Sequence, residues 1–147
     1  MRRANQIVVI ALDKRYKKLE KDLTSKTGKI LLELRASKLT TSGLGLEIYL
    51  VGSATMRKLN RQYRGKDAVT NVLAFGSPTG FPRPLGAPPD SLGEVYLCLP
   101  YIKKRREDIQ SLLAHGILHL MGFNHVSVGD RMTMEKTEEK LLAWLNP

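Results

Sequence analysis

The sequence predicts an α+β domain in which a small mixed β-sheet is packed by about five helices, with a metal site at the C-terminal end of a buried helix. Three observations carry that expectation. Strand-length apolar runs and helix-period runs follow one another in an order that suits a small sheet with helices against it. The 147 residues, 1–147, bound a single domain able to bury about two thirds of its unfolded surface. One segment, 111–129, carries no Asp, Glu, Lys or Arg in a chain that is 26% charged, so its helix is expected to be buried on most sides.

Residues 6–12 are rich in β-branched side chains and read as the first strand, with Asp13 as N-cap of the helical segment after it. Tyr16, Leu19 and Leu23 recur at helical spacing, and Ile30, Leu31 and Leu34 continue that face. Gly28 stands between the two groups as a possible interruption, which leaves one helix or two. Residues 44–51 form the second strand, with Leu46, Ile48 and Leu50 on one face. Ser53 is placed to cap a helix that buries Met56, Leu59 and Tyr63 and ends before Gly65. Its outer face carries Arg57, Arg61 and Arg64. A strand over 70–75 comes next, and then 76–92 holds five of the seven prolines, a loop long enough to serve as a lid or an RNA-contacting edge. Residues 93–99 are the fourth strand, where Cys98 reads as a small buried residue. Pro100 opens a helical region, and the helix with the first two histidines runs to about Met121. The last helix, about 130–145, buries Met134, Leu141 and Leu145.

All three histidines fall inside eleven residues, and their spacing is that of a metal site. His115 and His119 lie one helical turn apart, so both imidazoles leave the same face. Gly122 is the residue best able to take a left-handed conformation, end the helix and let the chain return His125 to the same point. Three imidazoles buried together without a shared cation would leave polar groups unsatisfied. Zinc is the first choice, since three histidines leave a fourth tetrahedral position open; nickel, copper and iron also suit imidazole. The spacing matches that of H-E-x-x-H-x-x-G-x-x-H zinc peptidases. Gly116, however, stands where those enzymes carry the glutamate that activates water, which weighs against peptide hydrolysis.

One cysteine excludes a disulfide framework and suits a reducing, cytoplasmic compartment. The apolar run at 7–12 is too short for a secretory signal, and no long apolar uncharged helix predicts a membrane anchor. The net charge of +10 points to a polyanionic partner. Basic residues cluster at Arg2 and Arg3, over 14–38, over 57–66 and over 103–106, and several of these clusters could line one groove. With few aromatic residues, binding is expected to rest on phosphate contacts rather than on base stacking across a sheet.

Several segments together resemble the bacterial YbeY family, metal-dependent endoribonucleases of rRNA maturation and ribosome quality control. The pattern H-G-x-L-H-L-x-G-x-D-H is met by His115, Gly116, Leu118, His119, Leu120, Gly122 and His125. Leu59, Asn60, Tyr63 and Arg64, followed by 70–75, resemble L-N-x-x-[YF]-R and T-D-V-L-S-F; Leu92, Gly93, Glu94 and Val95 resemble L-G-D-I. The match spans roughly 44–145. Asn71, Glu94 and Asn124 stand where the family usually has aspartate, and each asparagine keeps hydrogen bonding but loses charge. The resemblance implies a single-strand-specific endoribonuclease acting on rRNA (the 16S rRNA 3′ end) and on the small ribosomal subunit, with no membrane and no organic cofactor. His115, His119 and His125 would hold a zinc ion, and Arg64 and His115 would be catalytic, Arg64 pairing with the scissile phosphate. A non-catalytic metal-containing ribosome or rRNA-binding biogenesis factor is the alternative; a zinc hydrolase of peptides or small molecules is a third class.

Overall fold

A four-stranded sheet in the order β1-β2-β4-β3 organises the chain; its computed structural model describes residues 6–36, 45–76 and 91–146. Along the sequence run β1 (Gln6–Ala11), a 3-10 segment (Lys14–Leu19), α1 (Glu20–Ala36), β2 (Gly45–Val51), α2 (Ser53–Arg64), β3 (Val72–Gly76), β4 (Ser91–Cys98), α3 (Leu99–Lys104), α4 (Ile109–Leu120) and α5 (Val128–Leu145). β1, β2 and β4 are parallel and β3 pairs antiparallel with β4, so the sheet is mixed, as expected.

Side chains alternate across the pleat. On one face Val9, Ile48, Val95 and their neighbours pack beneath α1, α4 and α5, with Ile30, Leu34, Leu113, Ile117, Met134 and Leu141 in the same buried cluster. On the other face a smaller cluster of Val51, Met56, Leu73 and Cys98 sits under α2 and α3, at the C-terminal ends of the parallel strands. Cys98 is buried in a strand, as its apolar neighbours indicate.

Gly28 does not interrupt α1. A β-carbon there would sit 3.7 Å from Ile7 Cδ1, so the glycine lies where the helix passes close to β1. Ser53 is not the cap of α2: Gly52 holds that position and Ser53 is the first helical residue. Nor is Tyr63 buried. It is 60% exposed, and the inner face of α2 is formed by Met56 and Asn60, with Leu59 half-buried. Asn60 is held there by a hydrogen bond from its Nδ2 to the Ala68 carbonyl, 2.9 Å, which compensates burial of the amide. Leu145 is half-buried rather than buried. The helical region after Pro100 is two helices, because Arg106 takes φ 54 and Asp108 starts α4 anew by accepting from Gln110 N. Of the loop at 76–92, residues 77–90 lie outside the described part, as do Leu44, Arg2 and Arg3.

Two glycines set how closely elements meet. Gly93 has φ +135, and a β-carbon there would fall 2.0 Å from the Phe75 carbonyl oxygen, so only glycine lets β3 run alongside β4 at this point. The β2–β4 register shifts beside it, pairing Gly45 with Ser91 and Leu46 with Gly93. Gly116 brings α4 down onto β3 and β4; a β-carbon there would meet Val95 Cγ1 at 3.2 Å.

Candidate metal centre and cleft

Helix α4 ends as its sequence predicts. Gly122 takes φ +98, its N–H bonds to the His119 carbonyl at 3.1 Å, and Phe123 N bonds to the Leu118 carbonyl at 3.0 Å. That is a Schellman closure, and it turns the chain sharply after the second histidine. Asn124 Oδ1 then accepts from Val126 N at 3.0 Å, an Asx turn around His125, and Ser127 caps α5 by accepting from Asp130 N. The role of Asn124 here is to shape the turn, which an aspartate would serve equally.

The three imidazoles converge through the same nitrogen. His119 Nε2 lies 3.0 Å and His125 Nε2 3.4 Å from His115 Nε2, and each histidine offers a ligand atom within 4.8 Å of the others. Three ligands at about 2.0–2.1 Å from a tetrahedral ion would stand about 3.3 Å apart, so these spacings fit one small cation. Their chemistry fits too. His115 Nδ1 is 2.6 Å from Glu138 Oε1, and an ionised carboxylate only accepts, so Nδ1 carries the proton and the Nε2 lone pair faces its neighbours. Burial, reinforced by the like charges His115 and His125 carry when protonated, holds the His119 imidazole below its ordinary range; a hydrogen bond to the Phe123 backbone opposes this. A neutral ring is the form that binds metal.

Sequence spacing does not reveal Glu138. It lies on α5, 23 residues from His115, and only the packing of α4 on α5 joins them. The one available signal is an acidic residue on the face of α5 that follows Met134 and precedes Leu141, both buried.

The histidines form one side of a cleft of about 670 Å³, lined also by Arg64, Gly116 and the segment 70–75. Arg64, the last residue of α2, reaches this cleft because the turn after it is braced twice. Asn60 holds Ala68 from within, and Arg57 pairs with Asp67 through Nε–Oδ1 at 2.8 Å and Nη2–Oδ2 at 3.0 Å. Arg57 is thereby engaged in structure, while Arg64 lines the same cleft as the histidines. The cluster at 103–106 does not join it: Lys103 lies over the Tyr16 ring and Arg105 over Tyr101. Among the described basic residues, Arg64 lines this cleft and those at 103–106 do not.

Asn71 is on the cleft wall, its Oδ1 accepting from Val72 N at 2.7 Å and its Nδ2 donating to Glu107 Oε2 at 3.1 Å. Glu94 lies outside the cleft, on the sheet face, where it accepts from the Tyr96 hydroxyl at 2.8 Å. Among the described residues the cleft lining holds no carboxylate, so the peptidase glutamate has no counterpart, and the close approach of Gly116 to Val95 gives the physical reason. No helix among the described residues is long and apolar enough to cross a membrane.

Comparison with known proteins agrees with this geometry. The solution structure of TM1509 from Thermotoga maritima superposes with a TM-score of 0.59, covering 95% of this chain and 89% of that one at 24% identity, which speaks for the fold alone. Among curated proteins, the Endoribonuclease YbeY of Nitrosomonas eutropha is 36% identical over 107 residues, 67% of this chain and 70% of that protein. The Endoribonuclease YbeY of Persephonella marina is 35% identical over 119 residues, 72% of each. That of Bordetella pertussis is 37% identical over 112 residues, 69% of this chain and 66% of its own length. A family model described as Endoribonuclease YbeY matches residues 9–146. With the histidine cluster, the cleft and these matches together, the chain belongs to the YbeY endoribonuclease family.

Proposed function

We propose that this chain is a metal-dependent endoribonuclease that cuts unpaired RNA and acts in the cytoplasm on rRNA, at the 16S rRNA 3′ end within the small ribosomal subunit. The observation that carries this reading is that Arg64 and the three histidines line the same cleft. His115, His119 and His125 would hold one ion, zinc by its preference for three imidazoles and an open fourth position. When bound, the ion supplies Lewis acidity towards phosphate charge and activation of water.

The chain's own residues do the rest. Arg64 presents a planar guanidinium that pairs with the scissile phosphate and offsets charge developing on it. Glu138 fixes the orientation and tautomer of His115. Asn71, tied to Glu107 and to its own strand, offers a rigid wall against which the ribose-phosphate is positioned.

The test is incubation of the zinc-loaded full chain with rRNA precursor and with small ribosomal subunits, beside Arg64→Ala and a chelated control. Cleavage is expected only in the first. RNA binding that survives loss of the ligand histidines, with no cleavage by any sample, would assign the chain instead to a non-catalytic ribosome-associated role.

A further inference from the structure

Four aromatic rings from four separate elements form a row across the sheet face opposite the main core. Tyr49 of β2 stacks on Tyr96 of β4 with centroids 5.0 Å apart and planes 19° from parallel. Phe75 of β3 meets Tyr96 edge-on at 5.8 Å, and Tyr63 of α2 tilts onto Phe75 at 5.1 Å. Phe75 also lines the histidine cleft, so the row starts at the candidate active site and leads out over the sheet. Val8 and Ile10, in register with Glu47 and Tyr49, extend the face to β1 and are 45% and 38% exposed. Parallel strands are ordinarily covered on both faces. Here, among the described residues, α2 and α3 cover the strand ends at Val51 and Cys98, the rings of Tyr49, Tyr96 and Phe75 beside them are half-buried, and Tyr63 is exposed.

Two carboxylates interrupt the apolar surface. Glu47 and Glu94 are partners in the β2–β4 register, and each accepts from the tyrosyl hydroxyl two residues on, at 2.7 and 2.8 Å. A carboxylate has about four acceptor positions, so both keep capacity for further donors. Negative charge here repels phosphate but accepts N–H groups. Flat apolar faces with N–H donors along one edge describe a nucleobase, and guanine presents two adjacent donors to a carboxylate.

We propose that this face is a nucleobase subsite, taking unpaired bases of the strand that leaves the cleft against the Tyr49–Tyr96–Phe75 row and bonding guanine through Glu47 or Glu94. It rests on the endoribonuclease reading above and adds to it where the substrate is held beyond the scissile phosphate. The phosphates lie outward, away from the two carboxylates. Such a surface would add base contacts to the phosphate contacts on which binding is expected mainly to rest, because the fold gathers rings that are scattered in the sequence.

The test uses the metal-loaded full chain with Tyr49→Leu, Tyr96→Leu and Tyr96→Phe, each checked for metal content and circular dichroism. Cleavage is followed on an unpaired 12-nucleotide RNA containing guanine and on a 3-nucleotide RNA that spans the cleft only, and stacking by quenching of 2-aminopurine in the longer RNA with chelator present. The leucine variants should lose about 5- to 150-fold in kcat/KM on the 12-mer, mainly through KM, and keep wild-type activity on the 3-mer; Tyr96→Phe should retain the stacking. Unchanged cleavage of the 12-mer by both leucine variants, or equal losses on both lengths, overturns the subsite. So does self-association that Tyr96→Leu abolishes without effect on RNA, which gives the face to a second copy of the chain. A wild type that cleaves neither RNA yet quenches 2-aminopurine through Tyr96 removes the nuclease reading and leaves the subsite standing.

Discussion

His115 Nδ1 and Glu138 Oε1 lie 2.6 Å apart, although 23 residues separate them in the chain. The contact ties the helix that carries His115 and His119, two of the three candidate ligands, to the helix that follows His125. Because the carboxylate accepts, it sets the protonated nitrogen of His115 and leaves the other free for the ion. Glu138→Ala should weaken metal binding about 10- to 100-fold, and Glu138→Gln by less. Competition against a calibrated chelator measures this, and an unaltered affinity in Glu138→Ala would show that the carboxylate does not orient the ring.

Metal removal should lower stability as well as activity. His115 and His119 bring Nε2 atoms to 3.0 Å, and an ion that binds only the folded chain adds about 4 kcal/mol at a free concentration a thousand times its dissociation constant. Thermal melts with zinc and with EDTA should differ accordingly. In the His115→Ala, His119→Ala double variant they should coincide, and one equivalent of metal retained by that variant would defeat the ligand assignment.

Gly93→Ala should destabilise the fold by about 1–3 kcal/mol, since φ +135 and a β-carbon 2.0 Å from the Phe75 carbonyl oxygen both oppose it. Urea unfolding gives the difference directly. Near-native stability would mean that β3 and β4 separate there without cost.

Gly116→Val should cost about 1–3 kcal/mol by overpacking against Val95, and should also disturb the cleft wall. Gly116→Glu, which restores the peptidase signature, should therefore yield a less stable protein and no peptidase. Peptide hydrolysis by that variant would contradict the steric account.

Alkaline titration tests the sheet face. The bond to Glu47, aided by burial, pushes the Tyr49 hydroxyl up to about 12, and burial with the Glu94 bond raises Tyr96 in the same direction. The folded state thus keeps both protons longer than the unfolded chain, whose phenols ionise near pH 10. The stabilising contribution is complete below about pH 10 and is lost as pH rises through the folded value. Absorbance at 295 nm in folded protein at pH 11 should be undiminished in Tyr49→Phe and in Tyr96→Phe; loss of one tyrosine's amplitude in either would refute the shift.

Much of the candidate metal site was legible because it is local. A separation of four residues, a glycine three residues later and a third histidine three beyond that are read off a helical period and a left-handed turn, and both need only neighbouring backbone. The first two strands were legible for the same reason, since the β-branched run at 6–12 and the alternation of Leu46, Ile48 and Leu50 belong to each strand by itself, whereas their parallel pairing did not show there. Where the sequence misled, a tertiary contact overrode a local preference. Tyr63 sits at an apolar helical spacing yet lies outside, because Asn60 takes the inner position to hold Ala68. Gly28 looked like a break and is a point of close approach to β1.

By itself, then, the sequence determined the histidine triad, the helix that presents it and the family to which the chain belongs. Tertiary structure alone decided that Glu138 bonds to His115, that Arg64 lines the cleft with the triad while the cluster at 103–106 does not, and that Tyr49, Tyr96, Phe75 and Tyr63 meet in one row. The physical reason is the range of the interaction. Periodicity within an element records which way a side chain points, whereas contacts between elements depend on strand register and helix packing, which the pattern of any single segment does not contain.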